Sequence, residues 1–375
     1  MRLQLTLSLR PAPPLALVTL AAMASACGGS SPPPSGAVVA DLRTSVYQDT
    51  DRTTIGSGAV AVRARPNTEV TIGAHYLVDI TTSASVDVVS AATGRWDEAR
   101  NEGAGDVSWT DGWTGLSAGY VYSRENDWES HTGSAGFTQD FDDHNLTLGI
   151  GGGFVWNNIW RASDNFFQEN QWSASGSLSL VGVASPTEIW QVVYNFSYVD
   201  GYQASPYRFA RLADGANVPV LLFLPERHPR QRMRHALVIR QNTMLSDDVA
   251  LRSHARAYLD DWGIGSVTIG TELRAAVGDG WELGAMVRGY GQLGASFYQD
   301  IYAQPMRYMT SDRELSPFLD AFAGPRLAWR GQNQGAFREL RFEVKLLGFA
   351  FYFPDFSRLE TRYGFVGELA FGGNL

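Results

Sequence analysis

From about residue 40 onward the chain alternates between apolar and polar residues in short runs, with turn-forming residues between them. In residues 69 to 80, Val70, Ile72, Ala74, Tyr76, Val78 and Ile80 interleave with Glu69, Thr71, His75 and Asp79. In 172 to 180, Trp172, Ala174, Gly176, Leu178 and Leu180 interleave with Ser173, Ser175, Ser177 and Ser179. Residues 189 to 198 set Trp190, Val192, Tyr194, Phe196 and Tyr198 against Gln191, Asn195 and Ser197, and 338 to 346 set Leu340, Phe342, Val344 and Leu346 against Glu339, Arg341, Glu343 and Lys345. A period of two in runs of roughly ten residues marks strands with one face in lipid and one in water. The pattern predicts strands at 40–48, 55–65, 68–80, 98–109, 113–123, 128–140, 146–157, 169–183, 188–200, 233–245, 249–261, 264–276, 281–297, 313–323, 338–351 and 363–372. An open sheet in hydrocarbon would leave unpaired backbone, so the sheet must close. The expected fold is therefore all-β, a transmembrane antiparallel barrel of about 16 strands.

Connection lengths supply a check, because such barrels place short turns at one end and long loops at the other. The turns at Pro66-Asn67, Thr110-Asp111-Gly112, Phe141 to Asn145, Ala184 to Thr187, Ser246-Asp247-Asp248 and Gly278-Asp279-Gly280 fall at every second connection. The long segments 81–97, 158–168, 201–232, 298–312 and 352–362 fall at the others, with Trp262-Gly263 a short exception and a longer Gly/Gln-rich connection after 313–323. This parity puts both chain ends on the short-turn, periplasmic side.

The N-terminus changes the picture further. Arg2 and Arg10 precede an apolar stretch from Leu15 to Ala22 that ends in small residues, which reads as a signal peptide over residues 1–26. Ala24-Ser25-Ala26-Cys27 supports both ordinary cleavage and lipidation of Cys27, the one cysteine of the chain. Residues 27–39 read as a flexible Gly/Ser/Pro tether, and 40–375 as the barrel.

Charged residues make up 18% of the 375 residues, below the roughly 25% of soluble domains. The net charge is −9 and no basic tail is present, so nucleic-acid binding is excluded as a reading. Outer-membrane lipid, lipopolysaccharide and the barrel-assembly machinery are the expected partners. The chain closes on Phe371-Gly372-Gly373-Asn374-Leu375 in place of the terminal aromatic that is usual in such barrels.

Four runs carry a family resemblance: Tyr47-Gln48-Asp49-Thr50-Asp51-Arg52, Ala84 to Thr93, Ser205-Pro206-Tyr207-Arg208 and Asp260-Asp261-Trp262-Gly263-Ile264. They resemble the bacterial family called domain of unknown function 3570. The resemblance implies an outer-membrane barrel and brings no catalytic residues with it.

The candidate chemistry lies on the expected lumenal face between 233 and 297, with Arg234, Arg240, Arg252, His254, Arg256, Asp260, Glu272, Arg274, Glu282 and Arg288. Rings of arginine select anions in pores, whereas a mixed ladder of cross-strand pairs stiffens the wall. Both readings stand, and a small anionic solute is the candidate cargo. In the longest connection, the apolar run Val218 to Pro225 followed by Arg227, Arg230 and Arg232 suits either a plug in the lumen or a loop packed on the rim, and the arginines suit phosphate. Asp140, Asp142, Asp143 and His144 suit calcium or a solvated turn. No H-E-x-x-H or C-x-x-C motif is present, and the expectation is a pore, transporter or structural envelope component without cofactors, with a barrel enzyme acting on lipid or peptide as the alternative.

Overall fold

The computed structural model describes residues 35–83, 96–161, 164–213, 221–334 and 337–374. The signal peptide, Cys27, most of the tether and the 84–93 run lie outside the described residues.

The strands are β1 (Val38–Asp49), β2 (Thr53–Ala64), β3 (Val70–Ser83), β4 (Trp96–Thr110), β5 (Thr114–Arg124), β6 (Trp128–Phe141), β7 (Leu146–Arg161), β8 (Asp164–Ser185) and β9 (Glu188–Gly201). They continue as β10 (Phe209–Ala213), β11 (Leu221–Pro225), β12 (Gln231–Ser246), β13 (Val249–Asp260), β14 (Gly265–Ala276), β15 (Trp281–Gln292), β16 (Phe318–Gln334), β17 (Phe337–Tyr352) and β18 (Thr361–Asn374). All but β10 and β11 join one antiparallel sheet that closes where β1 pairs with β18, giving the expected barrel of sixteen strands. β10 and β11 form a separate hairpin within the connection from β9 to β12.

Alternation decides which face is which. On β12 to β14, Leu237, Ile239, Leu259, Val267 and Ile269 are exposed on the outside, while Ala236, Val238, Ser266 and Thr268 are buried within. The serines of β8 point inward and Leu178 and Leu180 outward, as the sequence predicts. Only closure satisfies every backbone donor and acceptor of such a greasy exterior in lipid.

Several boundaries differ from expectation. The Gly36 N–H donates to the Arg65 carbonyl (2.7 Å), so the hydrogen bonding of the sheet reaches into the stretch expected as a tether. β7 extends to Arg161 and β8 begins at Asp164, which removes the long loop expected at 158–168. The connection from β15 to β16 covers 293–317 instead, and β16 runs through the Gly/Gln-rich stretch to Gln334. The cause of the last misreading is Gly324-Pro325, normally a turn signal. Here Pro325 sits within β16, opposite Ala285, and the ladder to β17 is interrupted at these two residues. A Cβ on Gly324 would lie 1.9 Å from the Leu346 carbonyl oxygen, so glycine is what permits the strands to stay side by side.

Candidate functional site: a basic lumenal wall beneath a capped mouth

All ten residues expected on the lumenal face lie there, on the even-numbered positions of β12 to β15. The register aligns them in rungs. One rung runs Gln191, Arg240, His254, Gly270, Arg288 and Phe322 across six neighbouring strands. The next rung toward the long-loop end carries Val193, Val238, Arg256, Thr268 and Tyr290, and the one toward the short turns carries Asn242, Arg252, Glu272 and Met286. Gly270 leaves room for an imidazole: a Cβ there would fall 2.4 Å from Cε1 of His254.

The wall divides into two electrostatic parts. Toward the short turns, Arg274 pairs with Glu272 (2.7 Å) and Glu282 (3.7 Å). Arg326 reaches Glu272 (3.7 Å), Glu343 (2.6 Å) and Glu282. Lys345 joins Glu343 (2.7 Å) and Glu368 (3.6 Å), and completes a network of three cations and four carboxylates. Asp260 is no pore lining in this sense. Its carboxylate accepts from Arg232 Nε (2.9 Å), the Tyr258 hydroxyl (2.7 Å) and the backbone of Trp262 (3.0 Å) and Ile264 (2.9 Å), and so ties the turn between β13 and β14.

Arg288 donates to Asp320 (2.8 Å). Among the described residues Arg234, Arg240, Arg252 and Arg256 form no ion pair; Arg240 donates to the Gln191 side chain (2.8 Å) and Arg256 faces the ring of Tyr258 (5.2 Å). The mixed-ladder reading thus holds for one part of the wall. The other part holds these four guanidinium groups, with Arg252 beside Glu272 in the register.

Of the three arginines expected on the outer loop, Arg232 belongs to β12 and lies over the Trp262 ring (4.1 Å). Arg227 exchanges backbone hydrogen bonds with Met309, and Arg230 pairs with Glu169 (3.2 Å) in an exposed position. The acidic group at Asp140 is a hydrogen-bonded turn. Asp140 accepts from Thr147 (2.6 Å) and lies 2.8 Å from the His144 ring, while Asp142, Asp143 and His144 adopt positive φ. A different acidic group, Glu98, Glu125 and Asp127, brings three carboxylates within 4.8 Å of one another at the long-loop end. Burial pushes the Asp127 carboxyl up.

A cap at the long-loop end escapes the sequence reading. Residues 293–317, the β10–β11 hairpin and 353–360 pack together there. Ala210, Leu212, Tyr302 and Met309 form one apolar core, and Trp262, Ile264, Ala295 and Leu315 another. The hub is a single 3-10 turn, Arg313–Leu315, capped by Asp312. Asp312 meets Arg208, buried Arg313 meets Asp51, and Leu315 packs on Trp262 and Ile264. Three of the four family runs thus converge on one turn. Glu226 lies beneath, accepting from Thr310 Oγ1 (2.9 Å) and Ser311 N (2.9 Å). Burial pushes its carboxyl up, but His228, Arg208 and Thr310 outweigh burial and hold it below the usual range. Asp312, the residue before Arg313 and the donors of Ser311 could have been noticed as a capped turn; their long-range partners could not.

Beneath the cap, Tyr47, Phe318, Phe322, Leu347, Phe349, Phe351 and Val366 fill the lumenal side of β16, β17, β18 and β1 with Phe353 and Phe356 of the loop. The lumen is therefore lopsided, apolar and packed on one side, serine-rich or arginine-rich on the other.

Among solved structures, a bacterial polysaccharide outer membrane secretin superposes with a TM-score of 0.54 at 10% identity, over 90% of this chain and 98% of that one. CdiB from Acinetobacter baumannii superposes at 0.52 and 8% identity, over 90% of this chain and 60% of that one, so this chain spans less than two thirds of CdiB. These likenesses establish an outer-membrane type of barrel fold. A search of curated proteins by sequence finds no match. The family model described as "Protein of unknown function (DUF3570)" matches residues 57–330, most of the barrel, and the chain belongs to that family.

Proposed function

We propose that this protein is an outer-membrane channel for small anionic solutes, with its short turns and chain ends in the periplasm and its cap outside. The observation that carries the reading is the wall of Arg234, Arg240, Arg252 and Arg256, four lumenal guanidinium groups without ion pairs among the described residues. Sixteen strands enclose more space than side chains alone fill, and arginine in a pore raises the local concentration of anions. An enzymatic role forms no part of this reading.

Outer-leaflet lipid is the proposed surrounding. Lipid-facing Arg124 is exposed near the long-loop end beside Trp160 (5.7 Å), where its guanidinium suits a lipid phosphate.

Planar-bilayer recordings under a salt gradient test the channel. The reversal potential should report anion preference, and Arg252→Glu with Arg256→Glu should move it toward cations. Cation preference in the wild-type pore would sink the anion reading, and absence of conductance with the cap removed would sink the channel itself.

A further inference from the structure

We propose that the lumenal wall holds a binding site for doubly charged oxyanions, such as sulfate, phosphate or phosphate monoesters, centred on His254. The proposal rests on the channel reading for its physiological use, and on the wall's own geometry for its existence.

His254 stands at the middle of a cross. Arg252 and Arg256 lie two residues away on the same strand, one toward each end of the barrel. Arg240 is its direct neighbour on β12. Arg288 is its neighbour on the far side, across Gly270. Standard sheet spacings place these backbones about 5 Å apart between strands and about 7 Å apart along a strand, within reach of one small ligand for side chains as long as arginine. Gly270 contributes by having no side chain, which leaves the imidazole lying over the sheet with arginines on both flanks.

The neighbouring carboxylates have arginine partners of their own, although Glu272 also stands beside Arg252 in the register. Glu272, the nearest on β14, is held by Arg274 (2.7 Å) and Arg326 (3.7 Å), and Asp320 is held by Arg288 (2.8 Å). On β9, the neutral Gln191 takes one donor of Arg240. Three guanidinium forks, those of Arg240, Arg252 and Arg256, therefore retain donors that no carboxylate uses. Each guanidinium carries five N–H groups in a rigid plane suited to paired oxygens. A tetrahedral oxyanion offers enough oxygens to bridge two forks at once, whereas chloride offers a single centre. Charge-assisted bidentate bonds favour the oxyanion accordingly.

Calorimetric titration of sulfate into the detergent-solubilised full-length protein tests the site, since sulfate keeps its charge across the working pH range. Wild-type protein should bind sulfate, and Arg252→Gln and Arg256→Gln should each weaken the dissociation constant about tenfold or more. Arg43→Gln, on β1 and away from the cross, should bind as wild type. Circular dichroism and heat-modifiability on gels verify that each variant is a folded barrel. Absence of sulfate binding by the wild type, or equal binding by the Arg252, Arg256 and Arg43 variants, overturns the proposal. Sulfate binding in detergent without conductance in bilayers upholds the site and removes the channel reading. An anion-selective pore that binds no sulfate does the reverse.

Discussion

At the level of single residues, two kinds of position are under unusual constraint. Gly280 has φ +81°, and a Cβ there would fall 2.0 Å from the Arg330 carbonyl oxygen, a backbone atom with no freedom to rotate away. Gly280→Ala should lower stability by about 1 kcal/mol or more, measured by urea unfolding in detergent, because strain and clash add. Gly278, with φ +96° but open space around it, should tolerate alanine better. Glu226 illustrates the second kind. Its carboxyl is held below the usual range, so its contribution to the cap is complete above the ordinary glutamate value and is lost as pH falls through the lowered folded-state value. The protection of residues 297–311 against hydrogen exchange, corrected for the intrinsic pH dependence of amide exchange, should therefore be nearly constant from about pH 8 to 5 and fall only below the ordinary glutamate range. Glu226→Gln should show low protection throughout; a loss of protection centred near neutral pH in the wild type would contradict the assignment. Alternation alone placed Arg240, Arg252 and Arg256 on the lumenal face, since a strand allows only two choices. It could not say which arginines are paired, because Arg326 approaches Glu272, Glu282 and Glu343 through strand neighbours that the sequence does not reveal.

The elements that the sequence leaves illegible are those without a period. Residues 293–317 hold a 3-10 turn and several isolated bridges, and their order depends on distant partners: Arg313 on Asp51, Arg208 on Asp312, Leu212 on Tyr302. The reading of β16 failed for a different reason. Gly324-Pro325 carries a turn signature, yet the flanking strands β15 and β17 leave the chain no room to turn. Local propensity lost to the closed sheet, in which every strand must reach both membrane faces. The hub also yields a prediction. Arg313 is 2% exposed, and its Asp51 partner 3%, so Asp51→Ala leaves a buried guanidinium with less compensation, Glu314 (3.5 Å) being another near carboxylate. Loss of one member of a buried pair costs about 3–5 kcal/mol, and the partial compensation by Glu314 places this variant at the lower end. Limited proteolysis should then cut residues 293–317 rapidly while the barrel strands stay protected. Equal resistance in variant and wild type would show that the hub does not hold the cap.

At the scale of the whole molecule, the barrel and its cap divide the labour. The sheet supplies a wall whose charge is sorted by register, ion-paired toward the short turns and rich in arginine around His254. The cap crosses the opposite mouth, joined to it at Asp51 between β1 and β2, at Arg161 on β7, whose guanidinium donates to the Pro206 carbonyl (2.7 Å), and at Trp262 between β13 and β14, whose carbonyl accepts from Ser296 N (2.8 Å). These attachments lie on well-separated strands of a sixteen-stranded ring, so the cap spans the mouth instead of lining one edge. Access to the arginine wall from that side must pass it. Replacing residues 207–227 by a short Gly/Ser linker should therefore raise single-channel conductance severalfold while keeping the sign of the reversal potential, because the selective arginines stay in place. The hairpin contributes Leu212 and Ala210 to the cap core with Tyr302 and Met309, so its loss should also free residues 297–311 to exchange. Conductance unchanged by the deletion, with those residues shown to exchange freely, would mean that the limiting constriction is the arginine wall itself, and the cap would then be a cover without influence on flow.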